Sequence, residues 1–360
     1  MKIVICGGHH NSALVLAEKL CQEGNQIFWF GHKYSMIGDK NPSAEFLEVN
    51  RKGIPFIEIK AGKYQPSYRF WRYFFRIPLG FWQSWWALRK TKPDLIISFG
   101  GYLALPVVIC GWLQGIPSVT HEQTTISGLA NKVIAKFSKK VFVSFPSSLA
   151  YFSKKKTVLT GLPVREEIFK KGEKLFSNSQ KTIYIFGGKQ GSHILNEKVF
   201  EILPQLLGEF NIIHQCGSTS ITNDFQKAEQ LKCSLGAKAD NYLVKEYFFD
   251  SEIGQIYGSA DFVIARAGAH TVYELALLNK PAILIPLPWS TGGEQQKNAE
   301  MLEKAGLAKV LSQNDLEAGK LWQTVQSFSK NLKKYVLKKT FSLPTDATER
   351  IIDEIKKIKK

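Results

Sequence analysis

One short pattern occurs twice in this chain, and it restricts the fold more than any other feature. Lys2-Ile-Val-Ile-Cys6 is a run of strand-forming apolar residues, followed by Gly7-Gly8-His9-His10 as a tight turn and by an amphipathic helix from Ser12 to Gln22. The same order returns at Lys181-Thr-Ile-Tyr-Ile-Phe186, which runs into Gly187-Gly-Lys-Gln-Gly-Ser192 and a helix from His193 to Leu207. Each half then has a second strand ending on glycine, Pro93–Gly101 in the first and Ala260–Gly268 in the second. Continuous apolar strands that alternate with helices pair as parallel sheets covered on both faces. The predicted fold class is therefore α/β, with two doubly wound, Rossmann-like domains facing each other across a cleft. Predicted boundaries are 1–164 and 165–344, with the lysine-rich stretch Lys170–Lys181 as the surface joint. The last segment, Thr345–Lys360, reads as a helix packing back on the first domain.

Composition agrees with this plan. A chain of 360 residues has room for two domains, and 44% hydrophobic residues supply two cores, which excludes a disordered chain. The five cysteines are scattered and form no Cys-x-x-Cys pair, so neither a disulfide scaffold nor a zinc knuckle fits, and a reducing cytoplasm is expected. The first apolar run is too short for a signal peptide. Leu95–Thr120 carries no charge, but Gly100-Gly101, Pro106, Gly111, Gly115 and Pro117 divide it into a strand, a loop and a short helix. No transmembrane helix is expected.

The net charge of +17 is concentrated. Between Ile59 and Arg165 stand sixteen Lys or Arg and two acids, Asp94 and Glu122. Such a field suits nucleic acid or an anionic membrane surface. Residues 68–90 decide between them, because half of the eight tryptophans lie there among arginines. Phe70, Trp71, Phe74, Trp82, Trp85 and Trp86, with Trp112 nearby, form a candidate patch for the headgroup boundary, where rings bury and guanidinium groups meet phosphates. The alternative is a core helix with a solvated basic edge. No nucleic-acid-binding module signature is present, and no nucleic-acid partner is expected.

Gly187–Ser192 lies between a strand and a helix, where glycines let the backbone approach a phosphate and the helix N-terminus supplies N–H donors. It is neither a dinucleotide fingerprint nor a P-loop, and a plain tight turn fits equally well. More is said by the ordered set of motifs: Phe99-Gly-Gly-Tyr102, Pro117–Gln123 with Gly128–Lys132, Gly161-Leu-Pro-Val-Arg165, the second glycine loop, His214-Gln-Cys-Gly217, Arg266–Glu274, Pro286-Leu-Pro288, Glu294–Ala299 and Glu303–Gly306. Taken in order, they resemble the family-28 glycosyltransferases of the GT-B fold. The closest likeness is to those that move N-acetylglucosamine from UDP onto lipid I, a polyprenyl-diphosphate sugar, to make lipid II for peptidoglycan.

The resemblance implies roles. The second half would bind UDP-N-acetylglucosamine. Gly188, Lys189, Gln190, Gly191 and Ser192 would hold the diphosphate, and Glu274 would accept the ribose hydroxyls. Phe248 would flank the uracil. Gly268, Ala269, His270 and Thr271 would start a helix aimed at the diphosphate, with Arg266 in support, and Gln295 and Gln296 would read the sugar. Carboxylate for diol, helix N-terminus for phosphate and amide for hydroxyl are chemically apt pairings. The first half would meet the acceptor through Gly7, Gly8, Tyr102, Thr124, Asn131 and Arg165, whose planar fork suits a diphosphate or carboxylate. An inverting transfer needs a base, and His9, after the first strand, is the leading candidate. Glu122, an acid in the most basic region, is either paired structurally or functional. Backbone donors and Arg266 would hold the leaving-group charge, so the implied site needs no cofactor or metal, and no Asp-x-Asp pair stands at a strand end. The implied location is the cytoplasmic face of the membrane, as a peripheral protein.

Three departures from the family pattern matter. The first glycine loop is shortened to Gly7-Gly8-His9, and the second histidine makes His10 an alternative base. Thr124 follows His121-Glu122-Gln123 where the family has asparagine, and Lys189 stands where it has serine. Other readings are a transferase with a different lipid-linked or glycolipid acceptor, a UDP-sugar epimerase on the same fold, and a non-enzymatic scaffold.

Overall fold

The computed structural model describes residues 1–8, 10–34, 42–62, 76–217, 219 and 221–358. The chain divides into two compact units, Met1–Val164 with Pro344–Lys360, and Arg165–Leu343. The first holds strands β1 (Lys2–Cys6), β2 (Gln26–Gly31), β3 (Phe56–Glu58), β4 (Leu95–Ser98), β5 (Ser118–Glu122), β6 (Lys140–Val143) and β7 (Thr157–Leu159). They form one sheet in the order β3-β2-β1-β4-β5-β6-β7, with every pair parallel.

The alternation of β1 explains why both sheet faces are covered. Ile3 and Ile5 point to the face packed by the His10–Gln22 helix, through Ala13, Leu16, Ala17 and Leu20. Val4 and Cys6 point to the other face, against Leu88 of the Arg76–Thr91 helix and Leu103 and Val107 of the Gly101–Leu113 helix. All four strand residues are fully buried, which is why the run is apolar throughout rather than alternating. The uncharged stretch after Asp94 is β4, a glycine turn and the thirteen-residue Gly101–Leu113 helix. Among the described residues no helix is long and apolar enough to cross a membrane.

The second unit holds β8 (Lys181–Phe186), β9 (Phe210–Gln215), β10 (Tyr242–Lys245), β11 (Phe262–Ala265), β12 (Ala282–Leu284) and β13 (Ala308–Val310), ordered β10-β9-β8-β11-β12-β13 and parallel throughout. Two local expectations are corrected here. The helix after the second glycine loop is broken into His193–Glu201 and Leu203–Glu209. Pro204 has no N–H to give to the Phe200 carbonyl and its ring crowds that oxygen, so the helix breaks at Ile202 and restarts with proline in its first turn. Lys170–Lys181 is not a free joint but part of the second unit, held by Leu175 N–H on Ser259 Oγ at 3.1 Å and by Gln255 on the Glu173 carbonyl at 3.0 Å.

The Ala347–Ile358 helix belongs to the first unit, where Ile351, Ile352 and Ile355 join the core around Ile3 and Leu16. Lys140 and Glu354 add an ion pair at 3.4 Å. Ile351→Ala should therefore lower unfolding stability by about 2–5 kcal/mol, as read by urea denaturation. A loss below about 0.5 kcal/mol would mean that the helix is a loose appendage.

Candidate active site

In an open parallel sheet, neighbouring loops separate where the strand order reverses, and ligands bind there beyond the C-terminal strand ends. The reversal falls between β1 and β4 in the first unit and between β8 and β11 in the second. The glycine-rich segments follow these four strands.

In the second unit the loop after β8 is fitted to the end of β9. Gly188 and Gly191 have φ of +94° and +81°. A Cβ on Gly191 would lie 2.0 Å from the Cys216 carbonyl oxygen, so only glycine seats there. Gln215 Nε2 donates to the Gly188 carbonyl at 3.1 Å, while its Oε1 accepts from Phe248 N–H at 3.1 Å. Ser192 Oγ accepts from Arg266 Nε at 3.0 Å and Nη2 at 2.7 Å. Arg266 also donates to the Ile285 carbonyl at 3.1 Å and to Gln313 at 2.6 Å. It is 8% exposed, and burial lowers its pKa to about 10. These acceptors are neutral, so a protonated guanidinium stands behind the loop with spare positive charge.

Gly268 is the N-cap of the Ala269–Leu277 helix and offers no capping side chain, and a Cβ there would meet Thr271 Oγ1 at 3.9 Å. Ala269 is buried, while His270 and Thr271 are half-buried in the first turn. Further along that helix Glu274, 7% exposed, accepts from Tyr257 Oη at 3.0 Å and lies 3.7 Å from Arg165 Nη2. Burial pushes the Glu274 carboxyl up, and Arg165 and the Tyr257 hydroxyl pull it back part of the way. Arg165 also bonds Asp250. Burial works against its charge, but Glu274, Tyr247 and Asp250 outweigh that and raise its pKa. Arg165, grouped from sequence with Tyr102 and Asn131, thus bonds within the second unit. Gln295 Oε1 accepts from Leu287 N–H at 3.0 Å, tying down the Pro286–Pro288 loop, while Gln296 is exposed and bonds Glu300 at 2.9 Å. Lys189 is half-buried, its ammonium 5.8 Å from the Tyr247 ring centre, and Gln190 is exposed.

Phe248 needs correction. Its ring is 1% exposed and packs edge-on against Tyr184 with centroids 6.0 Å apart, so it offers no face to a uracil. The adjacent rings that reach the surface are Tyr247 and Phe249.

In the first unit the turn after β1 lies on the turn after β4. Gly8 N–H donates to the Gly100 carbonyl at 3.2 Å, and a Cβ on Gly7 would lie 2.7 Å from the Phe99 backbone. Asn131 closes the next layer, accepting from Gly101 N–H at 3.2 Å and donating to Glu122 Oε2 at 2.9 Å. The other Glu122 oxygen accepts from Thr124 N–H at 3.2 Å and faces its hydroxyl at 3.0 Å. Of the two readings of Glu122, this is the structural one. The side chain is 3% exposed and committed to acceptors' work inside the fold, not open to a substrate hydroxyl. Tyr102 is at the surface with its ring 5.5 Å from His32. His9 lies outside the described residues; His10 begins the first helix and pairs with Glu48 at 3.3 Å. Among the described residues no cluster of three or more His, Cys, Asp or Glu could hold a metal ion.

The sequence matches the models of the glycosyltransferase family 28 N-terminal domain over residues 6–143 and C-terminal domain over residues 182–355. It is 36% identical, over 99% of this chain and 98% of the relative, to a Clostridium perfringens UDP-N-acetylglucosamine–N-acetylmuramyl-(pentapeptide) pyrophosphoryl-undecaprenol N-acetylglucosamine transferase. A Bacillus cereus protein of the same name, numbered 2, is 34% identical over 93% of each chain. The chain belongs to glycosyltransferase family 28. Its fold is GT-B, and the crystal structure of Acinetobacter baumannii MurG superposes with a TM-score of 0.72 at 26% identity over 99% of both chains. The UDP-GlcNAc 2-epimerase of Neisseria meningitidis superposes at 0.62 with 13% identity, which is a likeness of fold alone.

For this family-28 chain the aromatic patch also sorts itself by packing. Leu79, Trp82 and Trp86 are 37%, 62% and 55% exposed along one stripe of the Arg76–Thr91 helix. Trp112 and Leu113 are 55% and 59% exposed at the end of the Gly101–Leu113 helix. Trp85 differs: it packs against the core, with Arg89 5.1 Å over its ring. Phe70, Trp71 and Phe74 lie outside the described residues.

Sequence reasoning missed Glu45 and Gln123. Gln123 is fully buried, and among the described residues neither polar atom of its amide has a hydrogen-bond partner, a costly arrangement with no sequence signature. Glu45 accepts from Trp29 Nε1 at 2.7 Å, yet burial raises its pKa to about 7 against the pull of Trp29 and the His32 N–H. A raised folded-state pKa favours the folded state below the ordinary carboxylate range, and that advantage disappears as pH rises through about 7. Stability should therefore fall between about pH 4.5 and 7, and Glu45→Gln should flatten the fall; urea midpoints across this range that are identical in both proteins would rule the effect out.

Proposed function

We propose that this protein is a hexosyltransferase that moves N-acetylglucosamine from UDP-N-acetylglucosamine to lipid I, forming lipid II for peptidoglycan. The observation that carries this reading is end-to-end identity with transferases so named, 36% over 99% of the chain. The geometry supports it: Gly188–Ser192 and Arg266–Glu274, which the family pattern assigns to the donor, follow β8 and β11, the strands on either side of the reversal in the second sheet.

In this reading the Gly188–Ser192 loop takes the diphosphate, and the two helices that begin at His193 and Ala269 each bring about half a positive charge to it. Lys189 and Arg266 add full charges. Glu274 keeps acceptor sites beyond those used by Tyr257 and Arg165, enough for a vicinal diol. Arg165 therefore serves the donor side by holding Glu274, and Tyr247 takes the base-flanking role first given to Phe248. Gln295 positions the Pro286–Pro288 loop near the sugar, with Gln296 as its polar neighbour. On the acceptor side, Gly7, Gly8 and Tyr102 line the approach, and Thr124 and Asn131 shape it from beneath.

The acceptor hydroxyl loses its proton to the His9-His10 pair, with His9 as the base and Glu48 orienting its neighbour. The acceptor oxygen bonds the anomeric carbon as that carbon's bond to the diphosphate oxygen breaks, and the electron pair leaves with UDP. The helix termini and Arg266 meet the charge that develops there. No cofactor is needed in this scheme. The exposed tryptophans and the basic field support a peripheral location for the first unit, on the cytoplasmic face of an anionic membrane that carries a polyprenyl-linked acceptor.

Purified protein given UDP-N-acetylglucosamine and a short-chain lipid I analogue should add one N-acetylhexosamine by mass. Glu274→Ala should lower kcat/KM about a hundredfold through loss of charged hydrogen bonds to the ribose. No transfer alongside tight UDP binding would mean that the acceptor is wrong. For the membrane, Trp82, Trp86 and Trp112 changed together to Ser should abolish binding to anionic vesicles and leave UDP affinity intact; vesicle binding that survives would overturn this part.

A further inference from the structure

Behind the diphosphate loop lies a buried polar chain whose members all have one consistent direction of donation. Burial lowers the His214 pKa to about 3, so its imidazole is neutral. Its Nδ1 accepts from Tyr242 Oη at 3.0 Å, and its Nε2–H donates to Asn196 Oδ1 at 3.1 Å. Asn196 then has two N–H donors left, and both are used. One goes to the Cys216 carbonyl at 2.8 Å, the other to Asp224 Oδ2 at 2.8 Å. Asp224 Oδ1 meets His193 Nδ1 at 2.7 Å. Asn196 and His214 are fully buried, and Asp224 is 3% exposed. Because the Cys216 carbonyl can only accept, the amide of Asn196 has one possible orientation.

The Cys216 carbonyl is the oxygen on which Gly191 sits, and Gly217 in turn touches the Gly191 backbone, where an added Cβ would lie 2.1 Å from its nitrogen. Asn196 therefore grips the surface that shapes the loop, and Asp224 grips Asn196. Neither side chain belongs to the loop. We propose that Asn196 and Asp224 are positioning residues for the donor's diphosphate, acting through the Cys216 carbonyl on Gly191. This rests on the donor-site reading given above.

The inference separates the phosphate half of the nucleotide from the nucleoside half. Releasing the Cys216 carbonyl should misplace the loop's N–H groups while leaving Glu274, Arg165 and Tyr247 where they are. UDP and uridine are the two probes, titrated by calorimetry and ligand-observed NMR. Asn196→Ala should weaken UDP about tenfold or more and uridine less than about twofold. The donor KM should rise more than kcat falls. Asp224→Ala should act in the same direction, and the isosteric Asp224→Asn, which keeps an acceptor for Asn196, should restore UDP affinity to within about threefold of wild type. Parallel losses for UDP and uridine, unchanged UDP affinity, or equal losses in both Asp224 variants would overturn the proposal. Wild-type protein that binds neither probe would instead overturn the donor-site reading beneath it.

Discussion

Close backbone approach between the loops that follow neighbouring strands is the constraint on which both candidate sites depend. In the first unit these are β1 and β4, on either side of the strand-order reversal, and in the second they are β8 and β9. In the second unit Gly191 sits on the Cys216 carbonyl with no room for a methyl group. In the first, Gly7 sits on the Phe99 backbone and Gly100 fits under the Asn131 side chain, where a Cβ would lie 2.2 Å from its oxygen. Glycine is required at these points by contact as well as by torsion, since Gly7, Gly100 and Gly191 all have positive φ. Backbone N–H groups brought together in this way suit an anion in the second unit.

Charge is handled differently at Arg165 and Arg266, two arginines of the second unit. Arg165 spends its charge on Glu274 and Asp250, and so pulls back part of the rise that burial gives the Glu274 carboxyl. Arg266 has neutral hydrogen-bond partners and remains cationic at neutral pH despite its lowered pKa of about 10. An arginine in the first setting organises its neighbours. One in the second setting is prepared for an incoming anion, because the field it creates is not already cancelled.

Much of the fold was legible in the chain because a buried parallel strand has no other composition available to it. The runs at Lys2–Cys6 and Lys181–Phe186 coincide with β1 and β8 to the residue. Periodicity failed where a local backbone rule overrode it, at Pro204 within an otherwise helical pattern. It could not rank aromatic residues either. Trp85 and Trp86 look alike in sequence, yet one packs against the core and the other is 55% exposed, because they occupy different faces of one helix. Phe248 and Phe249 differ for the same reason: which ring turns inward depends on Tyr184, a residue far away in sequence.

By itself the sequence determined the two α/β halves, the positions of the glycine loops, the family and therefore the reaction class, since each depends on local pattern or on residues kept in order. Tertiary structure decided which side chains work together. Arg165 joined Glu274, 109 positions away by their numbers, and Glu122 turned into the fold to hold Asn131 and Thr124. Asn196 reached Asp224 and Cys216 beneath a loop to which none of them belongs. Such pairings depend on strand order and on distances across it, and a linear pattern carries neither.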